Sequence, residues 1–215
     1  VQNSIRDEFV DRVAKLGATA RKGDPMKPDT NIGPVTTPPQ YRKILDYIDI
    51  ARKEGARCIL GGGPATDQPG GQFVEPTIFV DVTPEMRIAR EEVFGPVLSV
   101  IGFEDEEEAI RIANDTIYGL AAGIWTEDIG RAMRVSKAIK AGTVWVNTYR
   151  SISYMMPFGG RKHSGIGREM HMDPFLANED NPGRGKEILV VGSTMAIEPM
   201  LTMIGMSRSS DSWRK

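Results

Sequence analysis

The chain has 215 residues, enough for one large domain or two small ones, and its 40% apolar and 26% charged residues are typical of a globular protein. A formal net charge of -2, with basic residues scattered among acids, argues against electrostatic binding of nucleic acid. The single cysteine, Cys58, excludes an internal disulfide, and the two histidines have no partners at metal-ligand spacing, so we expect no metal site.

The sequence also gives no sign of a membrane segment. Its apolar runs fall short of the roughly 20 residues that a spanning helix needs. The first residues, VQNSIRDEF, have neither the basic nor the apolar region of a signal peptide. We therefore expect a cytoplasmic protein, and the initial valine suggests a fragment or a processed chain.

In chain order, the first predicted element is a helix. Apolar residues repeat at helical spacing between Ile5 and Leu16, and Asn3 or Ser4 is the predicted cap. After a loop rich in proline and glycine, a second helix is predicted to start at Thr37 and to stop at Gly55.

Strands and helices then alternate. RCIL is predicted to be a short buried strand, and PTIFVDV, PVLSVIGF, LAAGIWT and GTVWVN are further strands, separated by the helices EMRIAREE, EDEEEAIRIAND and EDIGRAMRVSKAI. This alternation predicts an α/β fold with a mainly parallel sheet flanked by helices. Binding residues are then expected near the carboxyl ends of the strands.

The character of the sequence changes after Met170. We predict a body over residues 1–170 and a divergent tail over 171–215. In this tail KEILVV could add one strand, and MAIEPMLTMIGM is a methionine-rich segment of moderate apolar periodicity.

The most informative segments are EEVFGPVLSV, NDTIYGLAAGIWT, GTVWVNTYR and PFGGRKHSGIGRE. Each alone has an ordinary structural explanation, such as a helix end, a turn or a buried strand. Together and in this order they resemble the aldehyde dehydrogenase superfamily, and the resemblance extends from Val1 to about Glu169. It implies the catalytic-domain fold of that family.

The resemblance also implies roles for particular residues. Glu92 matches a glutamate that hydrogen-bonds the nicotinamide ribose of NAD or NADP, and Phe94 matches an aromatic residue packed beside it. Ile152 and Phe158 match positions of the substrate tunnel. Glu169 matches a second glutamate near the active site, linked to proton relay or positioning.

The family reaction oxidises an aldehyde to an acid through a cysteine thiolate, hydride transfer to NAD(P)+ and hydrolysis of the thioester. The resemblance implies that this nucleophile lies shortly upstream of Val1, together with the base, the oxyanion donor and the dinucleotide-binding domain. We therefore expect weak cofactor binding by this chain alone. Cys58 is no substitute, because it lies in a predicted buried strand, where cysteine behaves as an inert apolar residue.

Three functions remain open. The first is a fragment of an aldehyde dehydrogenase, which would act on a small aldehyde and form a homo-oligomer. The second is a non-catalytic remnant that keeps the oligomerising surface. The third is a residual esterase or hydrolase that uses Ser164 beside His163, although adjacent residues in a glycine-rich loop rarely face each other.

Overall fold

The computed structural model describes residues 1–68, 70–152, 156–168, 188–191 and 202–205. The chain divides into two compact units. The N-terminal unit comprises residues 5–102, and the C-terminal unit joins residues 1–4 to the described residues from Phe103 onward. No helix in the described ranges is both long and apolar enough to cross a bilayer.

The N-terminal unit contains three helices and three strands in its described residues, in the order α1 (Arg6–Ala18), α2 (Pro38–Lys53), β1 (Arg57–Leu60), β2 (Thr77–Val80), α3 (Arg87–Arg90) and β3 (Val97–Ser99). Strand β2 is central, antiparallel to β1 and parallel to β3. All four residues of β2 are buried, and Phe79 packs in a core with apolar residues of α2. The burial of this apolar surface is the main favourable contribution to folding of the unit.

Helix α2 begins and ends as predicted. The Thr37 hydroxyl accepts a hydrogen bond from the Gln40 amide at 3.4 Å, and prolines occupy the first helical positions, where a missing N–H costs least. Gly55 follows the helix with φ of 99°, a conformation that glycine adopts without strain.

The predicted cap of the first helix was wrong. Asn3–Ile5 form a 3-10 turn, and Ile5, which precedes α1, makes no side-chain cap hydrogen bond. The Asn3 side-chain amide instead donates to the Glu104 carboxylate at 2.6 Å. Because the Asn3 side chain binds this distant carboxylate, it does not cap the helix.

Strand β1 is half-buried rather than buried, which corrects the prediction for RCIL. Among the strands that the structure describes, it pairs with β2 alone and lies at the edge of its sheet, so a neighbouring strand covers it on one side. Its register shifts between Cys58 and Leu60, where the Cys58 thiol donates to the Leu60 carbonyl at 3.2 Å. Cys58 thus has a local structural contact at a β-bulge.

The C-terminal unit contains, in its described residues, α4 (Glu106–Asn114), β4 (Ala121–Trp125), α5 (Ile129–Ala138), β5 (Thr143–Val146), β6 (Ile188–Val191) and β7 (Thr202–Gly205). Its strands form a parallel sheet in the order β6-β5-β4-β7. Residues 1–4 join this unit through backbone bonds, because Phe103 donates to the Val1 carbonyl and Asn3 donates to the Phe103 carbonyl.

The α/β class is therefore confirmed, with the mainly parallel strands distributed over two sheets. The strand predicted in KEILVV is β6, whereas β7 in the methionine-rich segment was not predicted. The carboxyl ends of the parallel strands β4 and β5 lie at the same edge, at Trp125 and Val146. The loop that follows β5 begins at that edge.

Candidate functional site

Glu91, the first residue of the EEVFGP segment, is held by two neighbours. Arg87 donates to both of its carboxylate oxygens, at 2.8 and 2.9 Å, and the Tyr47 hydroxyl donates a short hydrogen bond to it. The Arg87 hydrogen bonds, followed by that of Tyr47, lower the pKa of Glu91 to about 2. The hydrogen bond to Glu91 in turn raises the pKa of Tyr47. Glu91 is therefore a firmly ionised anchor of this loop.

The next residue, Glu92, has a different environment. It is half-buried, and its carboxylate has no hydrogen-bond or ion-pair partner among the residues that the structure describes. A carboxylate has two oxygens that can accept several hydrogen bonds. Glu92 therefore has the free acceptor capacity that a binding group needs.

Phe94 lies two residues further on, in an unusual backbone conformation. Its φ is 53°, in the left-handed region that non-glycine residues rarely adopt, and its side chain is 68% exposed. The Gln40 side chain donates to the Val93 and Phe94 carbonyls at 2.8 and 3.0 Å. An exposed aromatic residue in a strained, externally supported conformation is typical of a functional site.

Gly95 brings the same loop close to α2. A Cβ at this position would lie 2.7 Å from Cδ1 of Ile44, which is fully buried in the core. Glycine therefore permits the close approach of the loop to the helix that also carries Gln40 and Tyr47.

The environment of Glu91 predicts a pH-dependent stability. A carboxyl group whose pKa is lowered on folding stabilises the protein above its unfolded pKa, and this contribution is lost as the pH falls through the folded value. We expect the difference in melting temperature between the wild type and Glu91→Gln to be constant near neutral pH. It should shrink from about pH 4.5 towards 2.

Circular dichroism melts of both proteins across this pH range measure the effect. Because the Glu91 and Arg87 side chains are 41% and 49% exposed, the difference should also shrink when salt is added. A difference that stays constant down to the lowest pH at which both proteins fold would contradict the expectation.

Asn147 lies where β4 and β5 end. Its side-chain oxygen accepts from the Thr126 amide at 2.9 Å, and its side-chain nitrogen donates to the Thr126 carbonyl at 2.8 Å. Its own amide donates to the Ile124 carbonyl at 2.7 Å. The side chain therefore continues the backbone pairing of the two strands, while a φ of 53° turns the chain into the next loop.

That loop is attached to β5 by Trp145. The buried indole N–H donates to the Ser151 carbonyl at 3.0 Å, and the ring makes an edge contact with Tyr149, with ring centroids 5.1 Å apart. Burial raises the pKa of Tyr149. Ile152, one of the predicted tunnel residues, follows this attachment and is 43% exposed.

Three of the sequence motifs meet at Gly119. Its carbonyl accepts from the amides of Gly142 and Arg161, at 3.0 and 2.8 Å, and its amide donates to the Ser164 hydroxyl at 3.0 Å. Backbone atoms of NDTIYGL, GTVWVN and PFGGRKHSGIGRE are thus bonded to one another. Phe158, in the third motif, is half-buried.

Lys162 links the glycine-rich motif to the carboxyl end of α4. Its ammonium group donates to the carbonyls of Asn114 and Thr116, at 3.1 and 2.9 Å. A cation at the carboxyl end of a helix satisfies carbonyls that have no partner within the helix. Burial, followed by repulsion from Lys140, lowers the pKa of Lys162.

The predicted site residues are distributed over both units. Glu92 and Phe94 lie in the N-terminal unit, whereas Ile152 and Phe158 lie in the C-terminal unit. Glu169 lies outside the described residues. Sequence reasoning missed Gln40 and Tyr47, which reach the EEVFGP segment from α2. No local signal marked them, because their partners lie 44 to 54 residues further along the chain.

A profile of the aldehyde dehydrogenase family matches residues 1–177 of the 215. The chain belongs to the aldehyde dehydrogenase family. It is 50% identical over 174 residues to acetaldehyde dehydrogenase 2 of Cupriavidus necator, a match that covers 80% of this chain and 34% of that protein. It is 49% identical over 170 residues to aldehyde dehydrogenase 1A1 of Oryctolagus cuniculus, covering 79% and 34% respectively.

Solved structures agree with this membership of the aldehyde dehydrogenase family. Betaine aldehyde dehydrogenase of Staphylococcus aureus, solved in complex with NAD+, matches with a TM-score of 0.79 at 43% identity. The match covers 82% of this chain and 35% of that one. The chain therefore spans about a third of the length of these relatives, and the family resemblance seen in its motifs is confirmed.

Within this aldehyde dehydrogenase chain, Ser164 and His163 do not form a hydrogen-bonded pair in the described structure. The Ser164 hydroxyl accepts from the Gly119 amide instead. No group of three or more His, Cys, Asp or Glu side chains in the described ranges could hold a metal ion. The hydrogen bond with the Gly119 amide gives Ser164 a structural role in the loop.

Proposed function

We propose that this chain is part of an NAD(P)-dependent aldehyde dehydrogenase, which oxidises an aldehyde to a carboxylic acid, and that it supplies the contacts to the nicotinamide ribose and to the substrate. The observation that carries the proposal is the carboxylate of the half-buried Glu92, which has no partner among the described residues and lies two residues before the exposed Phe94 in sequence. The family membership supports the reaction class.

Glu92 suits a ribose. Its carboxylate can accept from two vicinal hydroxyls at once, and hydrogen bonds to a charged acceptor are stronger than neutral ones. The exposed ring of Phe94 offers an apolar face for the nicotinamide. When bound, the cofactor would accept the hydride that leaves the substrate; the role of these two residues is to bind and orient its nicotinamide end.

On the substrate side, we propose that Ile152 and Phe158 line an apolar tunnel and that Glu169 relays or positions a proton. The exposed Ile152 and the half-buried Phe158 support an apolar lining. In this proposal residues 1–170 are catalytic-domain sequence and 171–215 a divergent tail. The nucleophile is not Cys58, because its thiol is bonded to the Leu60 carbonyl within a strand.

The test uses nicotinamide mononucleotide, which carries the nicotinamide ribose without the adenosine half. We expect Glu92→Gln to weaken its binding about tenfold, since a charged acceptor would be replaced by a neutral amide. Titration followed by NMR measures the affinity and shows whether the amide signals of Glu92 and Phe94 respond.

Asp46→Asn is the matched control, because it removes one exposed carboxylate from the same unit. It should leave the affinity unchanged. Equal affinity of wild type and Glu92→Gln would overturn the role of Glu92. Tight binding of whole NAD by this chain would contradict the expectation that the adenosine half binds elsewhere.

The two alternative functions, a non-catalytic remnant and a residual hydrolase, predict different experimental results. A stable oligomer in a mass measurement, with no binding of nicotinamide mononucleotide, would favour a non-catalytic oligomerising remnant. A residual hydrolase is disfavoured by the bond between the Ser164 hydroxyl and the Gly119 amide. Hydrolysis of p-nitrophenyl acetate that is lost in Ser164→Ala would revive it.

A further inference from the structure

Three side chains of the N-terminal unit form what we call the Glu91 clamp: Tyr47, Arg87 and Glu91. Arg87 binds the carboxylate through two nitrogens, and the Tyr47 hydroxyl donates to it as well. The Arg87 guanidinium also lies over the Tyr47 ring, 5.4 Å from its centroid, and the Lys43 ammonium lies 5.6 Å from the same centroid. Each member of the clamp therefore contacts the other two.

The clamp acts at the point where α3 ends. Glu91 has an extended backbone, with φ of -111° and ψ of 150°. In extended backbone, successive side chains point to opposite sides of the chain. Because the clamp fixes Glu91 towards α2, we expect this alternation to turn the side chain of Glu92 away from that anchor. This geometry accounts for two adjacent glutamates of which one is fully bonded and the other has no partner among the described residues.

The clamp also restrains the backbone that leads to Phe94. Its left-handed φ of 53° is disfavoured for an aromatic residue and persists only where surrounding contacts enforce it. The clamp fixes the chain before Phe94, Gln40 binds its carbonyl, and the close approach of Gly95 to Ile44 fixes the chain after it. Only the first of these restraints depends on Tyr47, Arg87 and Glu91.

We propose that Tyr47, Arg87 and Glu91 are positioning residues that orient Glu92 and Phe94 for the nicotinamide ribose. They act through the backbone of residues 91–94 and do not touch the cofactor. The purpose of the clamp rests on the function proposed above, whereas its effect on the loop conformation does not.

The experiment compares Tyr47→Phe and Glu91→Gln with the wild type. Tyr41→Phe is the matched control, because it removes a hydroxyl from the same helix and that hydroxyl has no partner among the described residues. Three-bond NMR couplings report φ at Phe94, titration with nicotinamide mononucleotide reports affinity, and thermal melts report stability. A side chain that serves stability alone would change only the melts.

We expect both clamp variants to shift the Phe94 couplings towards values averaged with negative φ and to weaken binding about three- to tenfold. Tyr41→Phe should change neither quantity. If Tyr47→Phe folds poorly, Glu91→Gln decides, since it keeps the shape of the side chain. Unchanged couplings and affinity in both variants, with lower melting temperatures, would overturn the proposal. If the wild type does not bind the mononucleotide, the proposed function fails, and the Phe94 couplings alone then decide whether the clamp positions the loop.

Discussion

Gly142→Ala is expected to destabilise the C-terminal unit by about 3 kcal/mol or more. A Cβ at this position would lie 1.8 Å from the carbonyl oxygen of Gly159 and 2.9 Å from its carbonyl carbon. Both are backbone atoms, so no side-chain rotation can relieve the clash. The strand and the glycine-rich motif would have to separate, and the bonds that meet at Gly119 would be strained with them.

Urea unfolding monitored by circular dichroism measures this cost. The matched control is Gly167→Ala in the same glycine-rich motif, where an added Cβ would have no neighbour within 4 Å. We expect the control to stay within about 0.5 kcal/mol of the wild type. Similar unfolding midpoints for Gly142→Ala and Gly167→Ala would show that the two motifs are not packed backbone against backbone.

The second large effect is expected for Trp145→Ala, which should lower the free energy of unfolding by about 3 to 5 kcal/mol. The indole is only 2% exposed, so its removal leaves a cavity. It also removes the hydrogen bond that attaches the Ser151 carbonyl to β5. Trp145→Phe keeps a buried aromatic ring but loses the N–H donor, so we expect it to lower the stability less than Trp145→Ala does.

Two measurements separate these contributions. Urea unfolding gives the stability, and an NMR titration of the Tyr149 ring signals gives the environment of that side chain. Because burial raises the pKa of Tyr149, the loss of its Trp145 neighbour should lower that pKa towards its ordinary value. A Tyr149 titration that is identical in wild type and Trp145→Ala would contradict the role of the indole in holding this loop.

Much of the fold followed from local sequence signals. Thr37 marked the start of α2, and Gly55 marked its end. These signals involve neighbours in sequence, so a single chain contains them in full. The predicted cap of α1 was wrong because Asn3 binds Glu104, about a hundred residues away, and no local pattern contains such a contact.

The two sheets and the strand β7 also depended on distant pairing. Thr202–Gly205 pairs with β4, which lies far back in the chain, and its own composition does not distinguish a strand from a helix. Pairing partners are set by tertiary packing, which overrides weak local preference. For the same reason RCIL was predicted to be buried, although its position at a sheet edge leaves it half-exposed.

The candidate site was predictable as a set of motifs but not as a set of contacts. Glu91 and Glu92 are chemically identical in sequence, and only the bonds of Arg87 and Tyr47 distinguish the anchored carboxylate from the available one. Tyr47 lies 44 residues before Glu91, so its part in the loop could not be inferred from spacing. The family resemblance supplied Glu92, whereas the three-dimensional structure supplied the reason that its carboxylate is available.

The backbone bonds between residues 1–4 and Phe103 have a consequence for synthesis on the ribosome. The first residues of this chain are synthesised about a hundred positions before Phe103, the residue to which they bond. All of residues 5–102 are synthesised in that interval, before Val1 and Asn3 can bond to Phe103. Closing a loop of this length carries an entropic cost, so these bonds should form late, after residues 5–102 have collapsed.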